Sequence, residues 1–374
     1  MTAQSWLHTW AEARLRPAGI TINGPNPWDM QVHNTKLYGY VMGFGPRGLG
    51  EAYMYGWWNC EQLDEFIARL LRAQVHAGWQ SEMWNISLAV MRVLTNMQSV
   101  ARSRIVGTRH YDVGNDLFER MLDPHMMYSC AYYGRGAANL NDAQEDKLRL
   151  TCEKLQLARG MRVLDIGCGW GGFARFAAER YGVEVVGLTI SEEQAVLARE
   201  WCKGLPVSIL FKDYRELPPE IGLFDRIVSI GMFEHVGPKY YRIYMEIAEK
   251  HLKERGLFLL HSIGGHGCDP WFNKYIFPGG VLPAEDQIRA SLKGLFHIWD
   301  WHNFGRDYDP TLLAWYANFE RAWPELQEKY GERFFRMWRY YLLGMAGGFR
   351  AEEVKLWQIL LAKQPARSSY APVR

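Results

Sequence analysis

The run Val163-Leu164-Asp165-Ile166-Gly167-Cys168-Gly169-Trp170-Gly171-Gly172 is the densest chemical signal in the chain. An apolar stretch ending in an acid, then glycines at alternate positions, predicts a strand, a tight turn and a helix start. Such a turn leaves its backbone bare for a ligand, and the ligand that suits it is a nucleoside. The spacing departs from G-x-G-x-x-G, because glycines fall at 167, 169, 171 and 172 and an acid, Asp165, sits inside the turn. A glycine-rich turn that binds nothing is the structural alternative, but it leaves Asp165 facing a packed turn without purpose.

The pattern is similar to the turn of S-adenosylmethionine methyltransferases, where the methionine end of the cofactor is received and no pyrophosphate needs the helix N-terminus. Four other residues stand out by type. Glu234 and His235 follow a strand end, the usual place for catalytic groups in open α/β sheets, although either could cap a helix. His261 closes an apolar strand, where a lone histidine is commonly a satisfied core residue. Cys130 reads as a small buried hydrophobe or as a nucleophilic thiolate; no general base lies near it in sequence, which argues against the second.

Positioning these residues requires a sheet. Beyond about residue 107 the apolar pattern becomes βα repeats, with strands expected at Arg162–Ile166, Val183–Leu188, Val207–Leu210, Phe224–Ile230 and Leu257–His261. Helix Gly171–Tyr181 starts at the turn, and helix Glu192–Lys203 follows Ser191, an N-cap residue with acids in its first turn. The stretch Gly264–Pro283 is too long and irregular for an ordinary loop and is expected to form a lid or channel wall. Helices are expected from Pro310 to Glu328 and from Glu332 to Gly344, while Val354–Ala362 fits a helix or a strand.

Residues 1–100 form a separate compositional unit, joined to the rest by a linker expected at Gln98–Gly107. An amphipathic helix carrying Trp6, Leu7, Trp10 and Leu15 leads to Gly-rich turns around Gly43–Gly50. Helical periodicity resumes at Cys60–Ala77 and at Met83–Val100. With 374 residues, two domains are expected: 1–100 and 101–374. Charge is almost balanced, 43 basic residues against 41 acidic, so no nucleic-acid partner is expected. Instead, 16 Trp and 20 Tyr supply the amphipathic aromatics that settle at lipid–water boundaries. Six cysteines without zinc-type spacing argue for reduced thiols, no metal and a cytoplasmic location. No signal peptide and no run of 18 apolar residues is present, so the chain is expected to be soluble or peripheral to a membrane.

Several motifs together resemble the cyclopropane fatty acid synthases. They are His110 to Phe118, Tyr128-Ser129-Cys130-Ala131-Tyr132-Tyr133, the glycine turn, Gly187 to Ser191, Gly231-Met232-Phe233-Glu234-His235-Val236-Gly237 and Trp301-His302-Asn303-Phe304-Gly305. Gly19 to Gly24 and Tyr55-Gly56-Trp57-Trp58 resemble the longer bacterial form acting on phospholipids, not the shorter mycolic acid cyclopropane synthases. The resemblance implies a class I, Rossmann-like methyltransferase fold. Its seven-stranded sheet would be mostly parallel, with Val354–Ala362 as its last strand, and a smaller α-rich N-terminal domain would precede it.

It further implies a reaction. A cis double bond is a weak nucleophile, so the sulfonium methyl of S-adenosylmethionine must be held against it in a dry site. The base implied for the later deprotonation is a bound bicarbonate, held by Glu234, His261, Tyr308 and the backbones of Cys130 and Ile263. The cofactor's methionine end is assigned to Asp165, Gly167 and Gly169 with Tyr128 and Ser129 close by, its ribose to Thr189 and Gln194, its adenine to Asp213 and Tyr214. The expected partners are unsaturated phospholipid acyl chains, the inner face of the cell membrane, and a second copy of the chain as a homodimer. Arg333–Arg339 is expected to add cationic contacts with lipid. The alternative within the same resemblance is a methyltransferase that makes a methyl-branched lipid or methylates a small molecule.

Overall fold

The computed structural model describes residues 3–75, 114–265, 267, 269–366 and 370–374. The expected helix Met83–Val100, the expected linker Gln98–Gly107 and the first four residues of the His110 motif lie outside them. Two compact units emerge: Met1–Met97 with Cys268–Pro278 and Leu312–Val354, and Gln98–Gly267 with Gly279–Thr311 and Lys355–Arg374.

The second unit is built on seven strands: β1 Arg162–Ile166, β2 Glu184–Thr189, β3 Val207–Phe211, β4 Phe224–Ile230, β5 Leu252–Gly264, β6 His297–Asn303 and β7 Lys355–Ala362. Their order is β3-β2-β1-β4-β5-β7-β6. The first five run parallel, whereas β7 pairs antiparallel with both β5 and β6. Alternate residues of each strand feed two cores on opposite faces. Leu164, Ile166, Ile227 and Leu260 line one, Val163, Val185, Val228 and Leu259 the other. A sheet covered on both faces explains why these strands read as continuous apolar runs. Strand order reverses between β1 and β4, and the crevice at the carboxyl ends there is where ligands enter such sheets.

Three expectations need correction. β5 begins at Leu252, five residues before the expected Leu257, and continues to Gly264. The Gly43–Gly50 region folds not as turns but as helix Lys36–Met54, broken at Gly45 (φ 56°, ψ −136°) just before Pro46. The residue before a proline avoids the α region, and glycine alone enters this conformation freely. Gly50 serves packing instead, because a Cβ there would lie 2.5 Å from the Trp271 indole. Finally, the helices expected on either side of residue 330 form one run, Tyr308–Arg350, bent at Gly331 (φ 74°).

Within the first unit, Arg336 donates to Trp58 O at 2.9 Å and Arg339 to Glu61 O at 2.9 Å. The cationic lipid contacts expected of Arg333–Arg339 therefore exclude these two, whose guanidinium groups bind backbone carbonyls. Trp58, Trp271, Trp315 and Trp338 are fully buried, so much of the aromatic richness is core. Trp271 lies on helix Pro270–Tyr275, inside the stretch expected to be irregular.

Candidate active site

The glycine turn is pinned to the end of β2, since Gly167 N and Cys168 N both donate to Leu188 O at 3.0 and 2.8 Å. Its three alternating glycines have φ of 88°, 54° and 83°. They serve different needs. A Cβ at Gly167 would lie 2.7 Å from Met232, so the loop after β4 presses on the turn, whereas a Cβ at Gly169 meets no protein atom within 4 Å. Gly169 is thus the position of the turn with open space beside its backbone.

Asp165 lies within β1, opposite Gly187 and Val228, and not in the turn. Being two residues upstream, it reaches the site as a buried carboxylate at the strand's end. Its Oδ2 has no hydrogen-bond partner among the described residues, and burial pushes its pKa up to about 7, with the Lys147 charge opposing the rise. Lys147 is fully buried on helix Leu140–Lys154, donates to Ser129 Oγ at 2.9 Å, and is pushed down to about 8 by burial. Sequence reasoning missed this lysine, because a lone cation in a polar helix reads as solvated surface.

The remaining cofactor candidates gather around the crevice. Tyr128 packs edge-on against Phe118 with ring centroids 5.0 Å apart, and Phe118 against Trp170 of the turn at 4.9 Å. Trp170 in turn donates from Nε1 to Asn115 Oδ1 at 2.9 Å. Thr189 Oγ1 donates to Gln194 Oε1 at 2.8 Å, so the pair expected to serve the ribose forms one preset unit. Asp213, expected to meet the adenine, already accepts from Arg215 Nε at 2.8 Å and Nη2 at 2.7 Å. Tyr214 is a core residue, 5.0 Å from the Tyr244 ring.

Glu234 lies in the single turn Phe233–His235 after β4. Its Oε1 accepts from Ile263 N at 2.7 Å, and its Oε2 has no partner among the described residues. Burial raises this carboxyl to about 7, against the pull of the backbone N–H groups it accepts from. The Ile263 N–H expected to face an anion thus already serves Glu234, and Ile263 O accepts from Ser262 Oγ at 3.1 Å. His261 and Ile263 are two residues apart on β5, so they share a face of the sheet and stand about 7 Å apart. His261 is 1% exposed; Gln358 Nε2 lies 3.3 Å from its Nδ1, and its Nε2 has no partner among the described residues. Burial, with Lys147, Lys154 and His302 adding to it, holds the ring's pKa well below the ordinary range, so His261 is neutral.

Cys130 is buried as a thiol whose Sγ donates to Ala131 O at 3.1 Å, and burial raises its pKa far above the ordinary value. Such a group is not a nucleophile. Its neighbours stitch it to the segment around Tyr308: Ala131 N donates to Thr311 Oγ1 at 3.1 Å and Tyr133 N to Asp307 Oδ2 at 2.7 Å. Tyr308 begins the long helix and is 7% exposed. The Phe304 ring joins the two groups of residues, 5.7 Å from His261 and 5.3 Å from Tyr132.

A buried acid, a neutral imidazole and a glycine turn thus stand near the carboxyl ends of β4, β5 and β1. Residues 98–359 match the family model described as mycolic acid cyclopropane synthetase. The chain belongs to that family. It is 52% identical over 361 residues, covering 94% of this chain and 92% of the relative, to the cyclopropane-fatty-acyl-phospholipid synthase of Escherichia coli strain K12. An alignment of that extent includes most of the first 97 residues, which precede the family-model match. Among solved structures, the cyclopropane synthase MmaA2 from Mycobacterium tuberculosis superposes with a TM-score of 0.66 at 30% identity, covering 72% of this chain and all of that one. The mycolic acid cyclopropane synthase CmaA1, complexed with SAH and CTAB, gives 0.65 at 31% identity, covering 69% and 97%. Members of the mycolic acid cyclopropane synthetase family thus share this sheet, which is the class I S-adenosylmethionine-dependent methyltransferase fold.

Proposed function

We propose that this chain converts the cis double bond of an unsaturated phospholipid acyl chain into a cyclopropane, using the methyl carbon of S-adenosylmethionine. The observation that carries the reading is the pair of buried atoms left over at the crevice, Glu234 Oε2 and His261 Nε2. One accepts and the other, on a neutral ring, donates when it bears the proton. A bicarbonate ion fits such a pair, its hydroxyl turned to Glu234 and a charged oxygen to His261. When bound, it would supply a base beside the transferred methyl group, a role that Cys130, held as a thiol by burial, does not fill.

S-adenosylmethionine supplies an electrophilic methyl group. Gly169, with room where its Cβ would be, and the Thr189–Gln194 pair are placed to hold it, and Asp165 Oδ2 is a buried acceptor beside the turn. The alkene π pair forms the new C–C bond as the C–S bond breaks toward sulfur. A proton then leaves the new methyl group, and its C–H pair closes the ring onto the adjacent cationic carbon. Glu234 and His261 orient the proton acceptor, and Phe304 beside His261 keeps water from the cation.

For substrate delivery, the first unit exposes Trp6, Met42, Phe44 and Tyr55. Residues 1–100 carry seven basic and seven acidic side chains, so insertion of aromatic groups supports membrane docking better than long-range charge. Among the described residues no helix is long and apolar enough to cross a membrane, and the five described cysteines are free. A peripheral enzyme on the cytoplasmic face agrees with both, and pairing into a homodimer would double the docking units.

Incubation with S-adenosylmethionine and vesicles of unsaturated phospholipid tests the reading. The released acids should gain one CH2 per double bond consumed and resist mild hydrogenation. A product that takes up hydrogen, or methylation of a small amine instead, would replace it with the alternative methyltransferase. Joint replacement of Trp6, Phe44 and Tyr55 by serine should weaken vesicle sedimentation; unchanged sedimentation would refute the docking. Deleting residues 1–100 would be a poorer test, since Arg350 of this unit pairs with Asp64 at 2.6 Å.

A further inference from the structure

Two side chains behind His261 decide which of its ring nitrogens carries the proton. Thr151 lies on helix Leu140–Lys154, and its hydroxyl donates to Lys147 O at 2.8 Å. With its single proton committed there, Thr151 Oγ1 can only accept from the carboxamide of Gln358, whose Nε2 lies 3.2 Å away. This sets the amide orientation. The same Nε2 lies 3.3 Å from His261 Nδ1, and an amide nitrogen has no lone pair to offer, so Nδ1 accepts. The ring proton is therefore on Nε2, the atom without a partner among the described residues.

The arrangement belongs to the framework and not to a loop. Gln358 stands opposite His261 in the antiparallel register of β5 and β7. Thr151 and Gln358 are fully buried and His261 is 1% exposed, so bulk water does not compete for these groups. The buried cations Lys147 and Lys154 help to keep the ring neutral, which leaves the tautomer to determine what His261 presents.

We propose that Gln358, oriented by Thr151, is a positioning residue that locks neutral His261 in its Nε2–H tautomer, making it a donor to the anion beside Glu234. The opposite tautomer would turn a lone pair toward that anion and repel it. The inference rests on the proposed function only for the identity of the anion; the tautomer is a property of the protein alone.

The test is a long-range 1H–15N spectrum of the full chain labelled with 15N-histidine, with the His261 signals identified by their absence from His261→Gln. The wild type should show His261 as Nε2–H. In Gln358→Glu a carboxylate acceptor replaces the amide donor, so the ring should switch to Nδ1–H. Cyclopropane turnover should then fall about ten- to a hundredfold while the KM for S-adenosylmethionine changes less than about twofold. Thr151→Ser, which keeps the hydroxyl, should retain the wild-type spectrum and rate, whereas Thr151→Val should give a mixture of tautomers. A wild-type Nδ1–H signal would overturn the proposal, as would a switched tautomer in Gln358→Glu with undiminished turnover. Should that variant fail to fold, the wild-type and Thr151 spectra still decide. A wild type that forms no cyclopropane would sink the proposed function and leave the tautomer result standing.

Discussion

Glu234 Oε1 accepts the Ile263 N–H at 2.7 Å, a bond that ties the turn after β4 to β5 two residues beyond His261. One carboxylate oxygen is thus structural, and the other, Oε2, is buried without a partner among the described residues.

That division predicts the behaviour of Glu234→Gln. The amide oxygen keeps the bond to Ile263, while the NH2 group replaces an acceptor with a donor at the open edge. Turnover should fall about a hundredfold with cofactor affinity nearly unchanged by calorimetry, and added bicarbonate should restore part of the loss by mass action. Full activity in bicarbonate-depleted buffer would remove Glu234 from the anion site.

The same carboxyl makes stability depend on pH. Its folded pKa of about 7 lies above the ordinary 4.5, so between those values the folded state binds more protons than the unfolded chain. Its contribution is fully present below pH 4.5 and is lost as pH rises through 7. Half-buried His235, lowered to about 4 by desolvation, acts in the opposite direction but is common to both proteins. Urea unfolding of ligand-free protein should therefore show Glu234→Gln gaining on the wild type by roughly 2.5 kcal/mol between pH 5 and pH 8. Parallel stability curves would contradict the burial of a protonatable carboxyl there.

Much of the candidate cofactor site's local geometry was legible because it depends on residues close in sequence. A turn that needs left-handed backbone demands glycine, and Thr189 and Gln194 lie one helical turn apart across the Ser191 cap. What could not be read depends on long separations. Gln358 is 97 positions from His261 and 207 from Thr151. Lys147 is buried because Ser129 and the acids Asp123 and Asp165 surround it in space, which helix periodicity does not convey. β6, His297–Asn303, escaped notice because its residues are mostly half exposed and mix aromatic with polar types. The helix at Lys36–Met54 was obscured by its glycines, of which Gly50 serves close packing against Trp271 and Gly45 the break before Pro46, so composition pointed to turns.

Gly169→Val should abolish measurable S-adenosylmethionine binding while the protein stays folded. The added side chain meets no protein atom within 4 Å at Cβ, so the cost to folding is limited to placing a β-branched residue at φ 54°. Calorimetric affinity equal to the wild type's, alongside an unchanged melting temperature, would show that the cofactor does not enter there.

Cys130→Ala should lower turnover only modestly, by less than about tenfold, since the thiol is held protonated by burial and donates merely to Ala131 O at 3.1 Å. An essentially dead variant that retains its fold and binds S-adenosylmethionine would instead establish an obligatory thiolate.

The central claim is that methyl transfer is followed by loss of a proton from the transferred carbon and closure of the ring. S-adenosylmethionine carrying a fully deuterated methyl group, supplied with unsaturated phospholipid vesicles, reports on it directly by mass and NMR analysis of the released acids. Two deuterons on a cyclopropane carbon, the third lost to solvent, is the result predicted here; an acid that retains all three on a methyl branch would contradict it.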